Sequence, residues 1–162
     1  MPNWCEGVFR ARGKLENIKR FIEEGLDSVS GNGADQFKIT ENVVDKDFIE
    51  YEVTGQDMAY ICGTRRNFLV FEDWNIISVT RKKENEDYFG FACPFKSAWS
   101  IKEDEIAELA KEYQLKIRVN GFEGGMAFEQ LVEVTETGFV RTSSVISWQD
   151  YEWECAMPLL GG

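Results

Sequence analysis

A chain of 162 residues with a formal net charge of −11 and no histidine excludes several classes of protein at once. Its hydrophobic content of 43% and aromatic content of 14% are enough to build a core without disulfides or metals, and they exclude a disordered chain. The acidity disfavours nucleic acid and anionic membranes as partners, because both reward clustered lysine and arginine. We interpret the acidity as a source of solubility, with carboxylates that mimic phosphates as the lesser alternative.

Four cysteines lie far apart in the chain, and none forms a C-x-x-C pair. Without such a pair, and without histidine, we predict no metal site, no disulfide and no cofactor. The N-terminal segment has neither the basic nor the apolar region of a signal peptide, and no run of about 18 apolar residues could span a membrane. We therefore expect a cytoplasmic protein with reduced thiols. The four cysteines are Cys5, Cys62, Cys93 and Cys155.

The first half of the chain predicts a strand, a helix and then several short strands. Residues Trp4–Arg12 alternate between two faces, and Gly13 is expected to end this strand. Leu15–Leu26 carries one apolar stripe at helical spacing, which predicts an amphipathic helix. Ser30–Gly33 contains two glycines and an asparagine and predicts a flexible loop. Strand-like segments follow at 37–43, 49–53, 58–63, 68–71 and 76–79.

The second half begins with a charged segment, Arg81–Asp87, which is typical of a solvated hairpin tip. Ser100 and Glu103 form an S-x-x-E capping box that predicts the start of a helix over Ile101–Tyr113. We expect Trp99, immediately before this box, to be largely buried, like Trp4 on the first strand. Further strands are predicted at 88–93, 115–119, 126–134 and 139–148, and the C-terminal segment is expected to be irregular.

Few helices and many strands indicate an α+β fold with a mainly antiparallel sheet. A strand–helix–strand unit near each end is typical of a ferredoxin-like, split βαβ arrangement with two main helices on one face. We predict a single domain over residues 1–162, with a rough duplication into halves of about 1–80 and 81–162 as an alternative.

Four short segments, in the same order along the chain, suggest a family. The chain opens with M-P-N-W-C over Met1–Cys5; Gly63–Asn67 is similar to a G-T-K-W-[DN] stretch, Ser97–Trp99 to [ST]-A-W, and Glu123–Phe128 to E-x-G-x-x-F. Together they resemble the YubB-like ferredoxin-like domains that plasmids and phages carry. Arg66 stands where that family has tryptophan, which weakens the transfer of a shared site to this position.

The resemblance implies a ferredoxin-like core and an origin in a mobile element. It implies no established activity, so function has to be argued from the residues.

Catalytic candidates are few, because without histidine no Ser-His or Cys-His pair can form. Cys62 is the candidate nucleophile, since Arg65 and Arg66 follow it closely and cations lower a thiol's pKa. A buried structural thiol is the alternative. Glu123, beside the Gly124–Gly125 turn, is the candidate carboxylate for acid–base chemistry.

Candidate binding residues combine aromatic rings and cations. The glycine-containing segments match neither a G-x-G-x-x-G motif nor a P-loop, so no nucleotide site is predicted. Tryptophan is favoured at binding hot spots, although tryptophans also fill cores. The candidates are Trp4, Arg65, Arg66, Lys96 and Trp99.

The sequence thus predicts an accessory protein of a mobile element, non-enzymatic and acting through a protein partner. Its charge would steer it toward a basic surface on that partner. Two alternatives stay open: a small cytosolic enzyme that uses carboxylate or thiol chemistry, and an RNA-binding ferredoxin-like module. The sequence leaves the oligomeric state open.

Overall fold

The computed structural model describes residues 3–29, 36–71, 75–82 and 87–162. Eleven strands form one sheet, in which every pairing between described strands is antiparallel, and three helices accompany it. The predicted α+β class with an antiparallel sheet is confirmed. Eleven strands exceed a simple ferredoxin-like sheet, and that finer assignment stays a prediction.

The elements alternate along the chain as follows. The strands are β1 (Trp4–Lys14), β2 (Leu26–Ser28), β3 (Lys38–Val43), β4 (Phe48–Thr54), β5 (Met58–Ile61), β6 (Asn67–Val70), β7 (Ile76–Arg81), β8 (Tyr88–Ala98), β9 (Lys116–Glu123), β10 (Phe128–Val134) and β11 (Val140–Ser147). The helices are α1 (Leu15–Glu24), α2 (Glu103–Tyr113) and α3 (Tyr151–Glu154). The main sheet runs in the order β11-β10-β9-β1-β8-β6-β5-β2, and β7, β4 and β3 form a side arm that joins β8.

Strand β8 pairs with two different strands along the same edge, and for this reason it is longer than the predicted 88–93. Its start pairs with β7 at residues 89–90, and its end pairs with β6 at residues 95–97. Pro94 lies between these two segments, where neither β6 nor β7 is paired with β8. A proline in a central strand is tolerated here because this position needs no ladder bond on that side.

Both main helices pack on one face of the sheet, as predicted. Phe21 of α1 stacks on Phe9 of β1 and on Phe91 of β8, and its ring meets the edge of Tyr113 of α2 at a centroid distance of 5.3 Å. Phe95 of β8 also stacks on Phe9. These stacked phenylalanines are therefore core residues. Apart from this core, Phe122 of β9 packs against Tyr151 and Cys155 near the C-terminus, so only part of the opposite face is open to solvent.

Two predicted boundaries around α1 are wrong. Gly13 does not end β1, which continues to Lys14 and pairs along its length with β8. The glycine is needed because a Cβ there would lie 2.6 Å from the Leu115 side chain. The helix ends at Glu24 instead of Leu26, since Leu26 already belongs to β2.

The side arm is fastened to α1 by a short polar network. The Lys19 ammonium lies 2.8 Å from the Glu41 carboxylate of β3, which also accepts a hydrogen bond of 2.6 Å from the Tyr51 hydroxyl. Lys19 and Tyr51 hold the pKa of the Glu41 carboxyl below its usual range.

Helix α2 begins later than its predicted capping box. Lys102 is the N-cap residue and makes no side-chain cap bond, so the Ser100–Glu103 box does not form. Instead the buried Gln130 side chain accepts from the Ile101 amide at 2.9 Å and donates to the Ile101 carbonyl at 2.8 Å. This pairing holds residue 101 in an extended segment, and the helix starts at Glu103.

Two predicted loops fall wholly or partly outside the described residues. Ser30–Gly33 lies outside them, as do residues 83–86 of the predicted hairpin tip. Over the described ranges, no helix is both long and apolar enough to cross a membrane.

Candidate functional site

Trp99 occupies an unusual turn at the end of β8. Its φ angle is +72°, and the Ser100 amide donates to the Ala98 carbonyl at 3.0 Å, which closes a γ-turn around the tryptophan. A second bond of 2.9 Å runs from the Trp99 amide to the Asn3 carbonyl. Residues other than glycine rarely adopt this backbone conformation. It costs about 1–3 kcal/mol, and residues that adopt it are concentrated at functional sites.

The turn places the indole of Trp99 outside the core, with 55% of the residue exposed. The prediction that Trp99 is buried is therefore wrong. The cause is the positive φ, which swings the side chain away from the sheet and toward solvent.

A small cleft of about 170 Å³ opens beside Trp99. We call it the Trp99 cleft, and its functional side chains are Arg65, Arg66, Asn67, Trp99, Lys102 and Glu105. Asn67 is buried and donates to the Glu105 carboxylate at 3.2 Å. Three cations and one carboxylate thus surround an exposed indole.

The other predicted aromatic, Trp4, is half-buried beside this cleft. The Arg66 guanidinium lies 5.4 Å from the Trp4 ring centroid, and Phe68 meets the same ring edge-on at 5.9 Å. Trp4 also exchanges two backbone hydrogen bonds with Gly162, of 2.5 and 3.1 Å. Lys96 is outside the cleft, where its ammonium lies 2.9 Å from Glu6.

Glu123 is a buried carboxylate whose oxygens are already occupied. Oε1 accepts from the Gly125 amide at 2.9 Å, and Oε2 accepts from the Met126 amide at 2.6 Å. Both amides belong to the turn between β9 and β10, so the carboxylate closes that turn. This geometry explains Glu123 as a structural residue, and it lines neither the Trp99 cleft nor the groove described below.

The thiols lack the environment of a nucleophile. Burial raises the pKa of the partly exposed Cys62 thiol, and Asp27 raises it further. Arg65 and Arg66, which follow it in sequence, line the Trp99 cleft instead. Burial, together with Glu123 and Glu6, raises the pKa of Cys5 to about 12. Thiolates at neutral pH are therefore not expected at these positions.

An acidic helix surface begins next to the Trp99 cleft. Four exposed carboxylates project from α2 against one exposed lysine, Lys111. We call the four the acidic α2 face: Glu103, Asp104, Glu108 and Glu112. Three acidic residues in the first turn also match the positive end of the helix dipole.

The open face of the sheet carries a second and larger depression, a groove of about 1110 Å³ over β1, β9, β10 and β11. Its cations, which define the arginine groove, are Arg10, Arg12, Lys116, Arg118 and Arg141. Glu133 lies 3.1 Å from Arg118 and 3.5 Å from Arg141. Desolvation and the nearby Arg118 lower the pKa of Arg10.

The structure thus brings three of the predicted binding residues, Arg65, Arg66 and Trp99, into one cleft. Sequence reasoning missed Lys102 and Glu105 in that cleft, because no local pattern shows that the start of α2 lies beside residues 65–67. It also missed the arginine groove, although the alternation of arginines along β1 and β9 is a visible signal of a shared face.

Comparisons with protein-family models, with curated proteins and with solved structures found no match. The resemblance to YubB-like domains stays a prediction.

Proposed function

We propose that this chain is a non-enzymatic accessory protein of a phage, plasmid or other mobile element, which acts in the host cytoplasm by binding a protein partner. The observation that carries the proposal is the exposed Trp99, held in a strained turn by two backbone hydrogen bonds. A residue whose backbone is already fixed loses less entropy on binding, and tryptophan is enriched at interface hot spots.

The acidic α2 face supports a partner with a basic surface. It starts within a few residues of Trp99 and consists of four exposed carboxylates. Such a field steers a basic partner toward the tryptophan, which then enters the interface as its anchor. The cations of the Trp99 cleft would receive a carboxylate from the same partner.

The chemistry of the candidate catalytic residues favours binding over an enzyme. The Glu123 carboxylate is engaged by two turn amides, and the pKa of Cys62 is raised instead of lowered. A nucleophile or general base needs the opposite, a pKa tuned toward neutrality and access to substrate.

The strand order supports the finer fold proposal, a ferredoxin-like core inside the larger sheet. Helix α2 connects β8 to β9, and β1 lies between these two strands and is antiparallel to both. A strand inserted into a strand–helix–strand unit is the split βαβ arrangement. The remaining strands would then be additions to that core, in agreement with the YubB-like resemblance.

Quantitative affinity capture from lysate of the bacterial host tests the proposal. The bait is the tagged full chain, compared with Trp99→Ala and with the control Trp153→Ala, whose tryptophan is 86% exposed on α3. We expect one stoichiometric protein to bind the wild type and the control, and Trp99→Ala to weaken its binding about 30-fold, the equivalent of a 2 kcal/mol hot spot. Asp104→Lys should also weaken binding, and salt should do the same. Equal capture by Trp99→Ala, or capture of no protein, would contradict the proposal.

A second candidate function, RNA binding, is favoured by the arginine groove alone. Arginine guanidinium groups match phosphate geometry, and four of them line one depression on an open sheet face. Fluorescence anisotropy with labelled single-stranded RNA at low salt tests this candidate. Binding that Arg12→Glu abolishes and the helix-face control Lys111→Glu preserves would support it, and no binding at low salt would eliminate it.

A further inference from the structure

Strand β11 is an unprotected edge of the sheet. Among the described strands, β2, β3 and β11 each pair with a single neighbour. β2 has only three residues, and β3 carries the charged residues Lys38 and Glu41. Short length and charge are the usual protections of an edge against further strand pairing.

β11 has neither protection over most of its length. It has eight residues, and from Thr142 to Ser147 it contains no charge, no proline and no glycine. Residues 143–147 are all exposed, with Val145 at 59% and Ile146 at 48%. A long, exposed and uncharged edge with apolar side chains is a template for strand addition.

The register between β11 and β10 determines which backbone amides and carbonyls of β11 are free to bind another strand. The Trp148 amide donates to the Ala127 carbonyl of the β10 side at 2.8 Å. Backbone groups of a strand alternate in direction with a period of two residues, so Ser147, Val145 and Ser143 direct their amide and carbonyl groups away from β10.

We propose that two copies of this chain associate through antiparallel pairing of their β11 strands about a two-fold axis at Val145. In this register Val145 pairs with Val145 and Ser143 with Ser147, so that the three outward residues of each strand exchange hydrogen bonds with the partner strand. Ile146 of each copy then lies opposite Ser144 of the other, which covers its exposed side chain.

We commit to a second copy as the occupant because this register is self-complementary and places no two like charges opposite each other. Each molecule has a net charge of −11, so two copies repel wherever acidic surfaces meet. The Thr142–Ser147 segment contains no charge and meets itself without placing like charges opposite each other. Beyond it, Arg141 comes opposite the uncharged Gln149.

Sedimentation velocity on the full chain tests the proposal over protein concentrations from about 1 µM to about 1 mM, because a single strand pair is a small interface and the dimer should be weak. We expect the mass to rise from 18.6 kDa toward twice that value. Wild-type protein that stays monomeric at every concentration in this range would overturn the proposal, and β11 would then be available to pair with a strand of another protein.

Two variants locate the interface. Val145→Lys places two ammonium groups at the axis, and Val145→Pro removes an outward amide without removing a bond to β10. Both should be monomeric at every concentration, with melting temperatures within about 3 °C of the monomer's. The matched control is Val43→Lys, because Val43 is a valine on edge strand β3 with 58% exposure. Dimers that persist in both Val145 variants, or that Val43→Lys also dissolves, would overturn the proposal.

Discussion

The left-handed turn at Trp99 can be tested by comparing two truncations, Trp99→Ala and Trp99→Gly. Both remove the same indole, so the packing energy of the ring cancels in the difference between the two variants. Alanine keeps the cost of a positive φ, about 1–3 kcal/mol, whereas glycine does not. Glycine has the greater entropy in the unfolded chain, which costs it about 0.5–1 kcal/mol relative to alanine. We expect Trp99→Gly to be the more stable variant by about 1 kcal/mol.

Urea unfolding of both variants measures this difference from the shift in midpoint at constant slope. The control pair is Glu108→Ala and Glu108→Gly, at an exposed position inside α2. There the order should reverse, with alanine more stable by about 1 kcal/mol. If alanine is as stable as glycine at position 99, the turn is not left-handed in solution and the argument for a strained binding residue fails.

Three further predictions concern buried groups. Gln130→Leu leaves both backbone groups of Ile101 without their partners and should cost about 3 kcal/mol in unfolding free energy; a loss below about 1 kcal/mol would contradict this role. Glu123→Gln replaces one acceptor by a donor that faces a turn amide, and chemical denaturation should detect a loss of about 2 kcal/mol, whereas unchanged stability would refute the structural assignment. Burial raises the pKa of both Cys5 and Cys93 to about 12, so above pH 9 the unfolded chain releases these protons first and stability falls as pH rises, by about 1.4 kcal/mol per pH unit for each thiol. Cys93→Ser should reduce that alkaline slope by one thiol's share, and an equal slope would contradict the burial argument.

The elements of the fold followed from periodicity because their apolar faces are local in sequence. The apolar stripe of Leu15–Leu26 predicts one buried helix face, and the alternation of residues around Phe9 predicts one buried strand face. Both faces lie in the core. The ends of elements depend on distant contacts instead. Gly13 continues its strand because it pairs with Phe89 of β8, and α2 starts late because Gln130 binds Ile101. No local pattern contains those partners.

The candidate site was predicted in part for the same reason. Residue type alone indicates Arg65, Arg66 and Trp99, and the pairing of β6 with β8 brings them together. The orientation of Trp99 could not be read from sequence, since it depends on a positive φ and on a backbone hydrogen bond to Asn3 near the start of the chain. The glycines beside Glu123 mark a turn, and the Gly125 and Met126 amides of that turn donate hydrogen bonds to the Glu123 carboxylate.

Net charge alone does not predict the charged surfaces of this protein, because a sum over the chain says nothing about where the charges lie. The acidic α2 face and the arginine groove are on opposite sides of one sheet, and they differ in the sign of their excess charge. In the groove this excess is small, because Glu129, Glu133 and Glu136 line it together with the five cations. The value of −11 therefore fits the proposed basic partner only at the helix side, where the proposed anchor Trp99 is exposed. At the open face the same chain presents arginines, and the Thr142–Ser147 segment of β11 adds an uncharged edge. Each surface can be disabled by a single substitution that leaves the others intact, so their partners can be assigned separately.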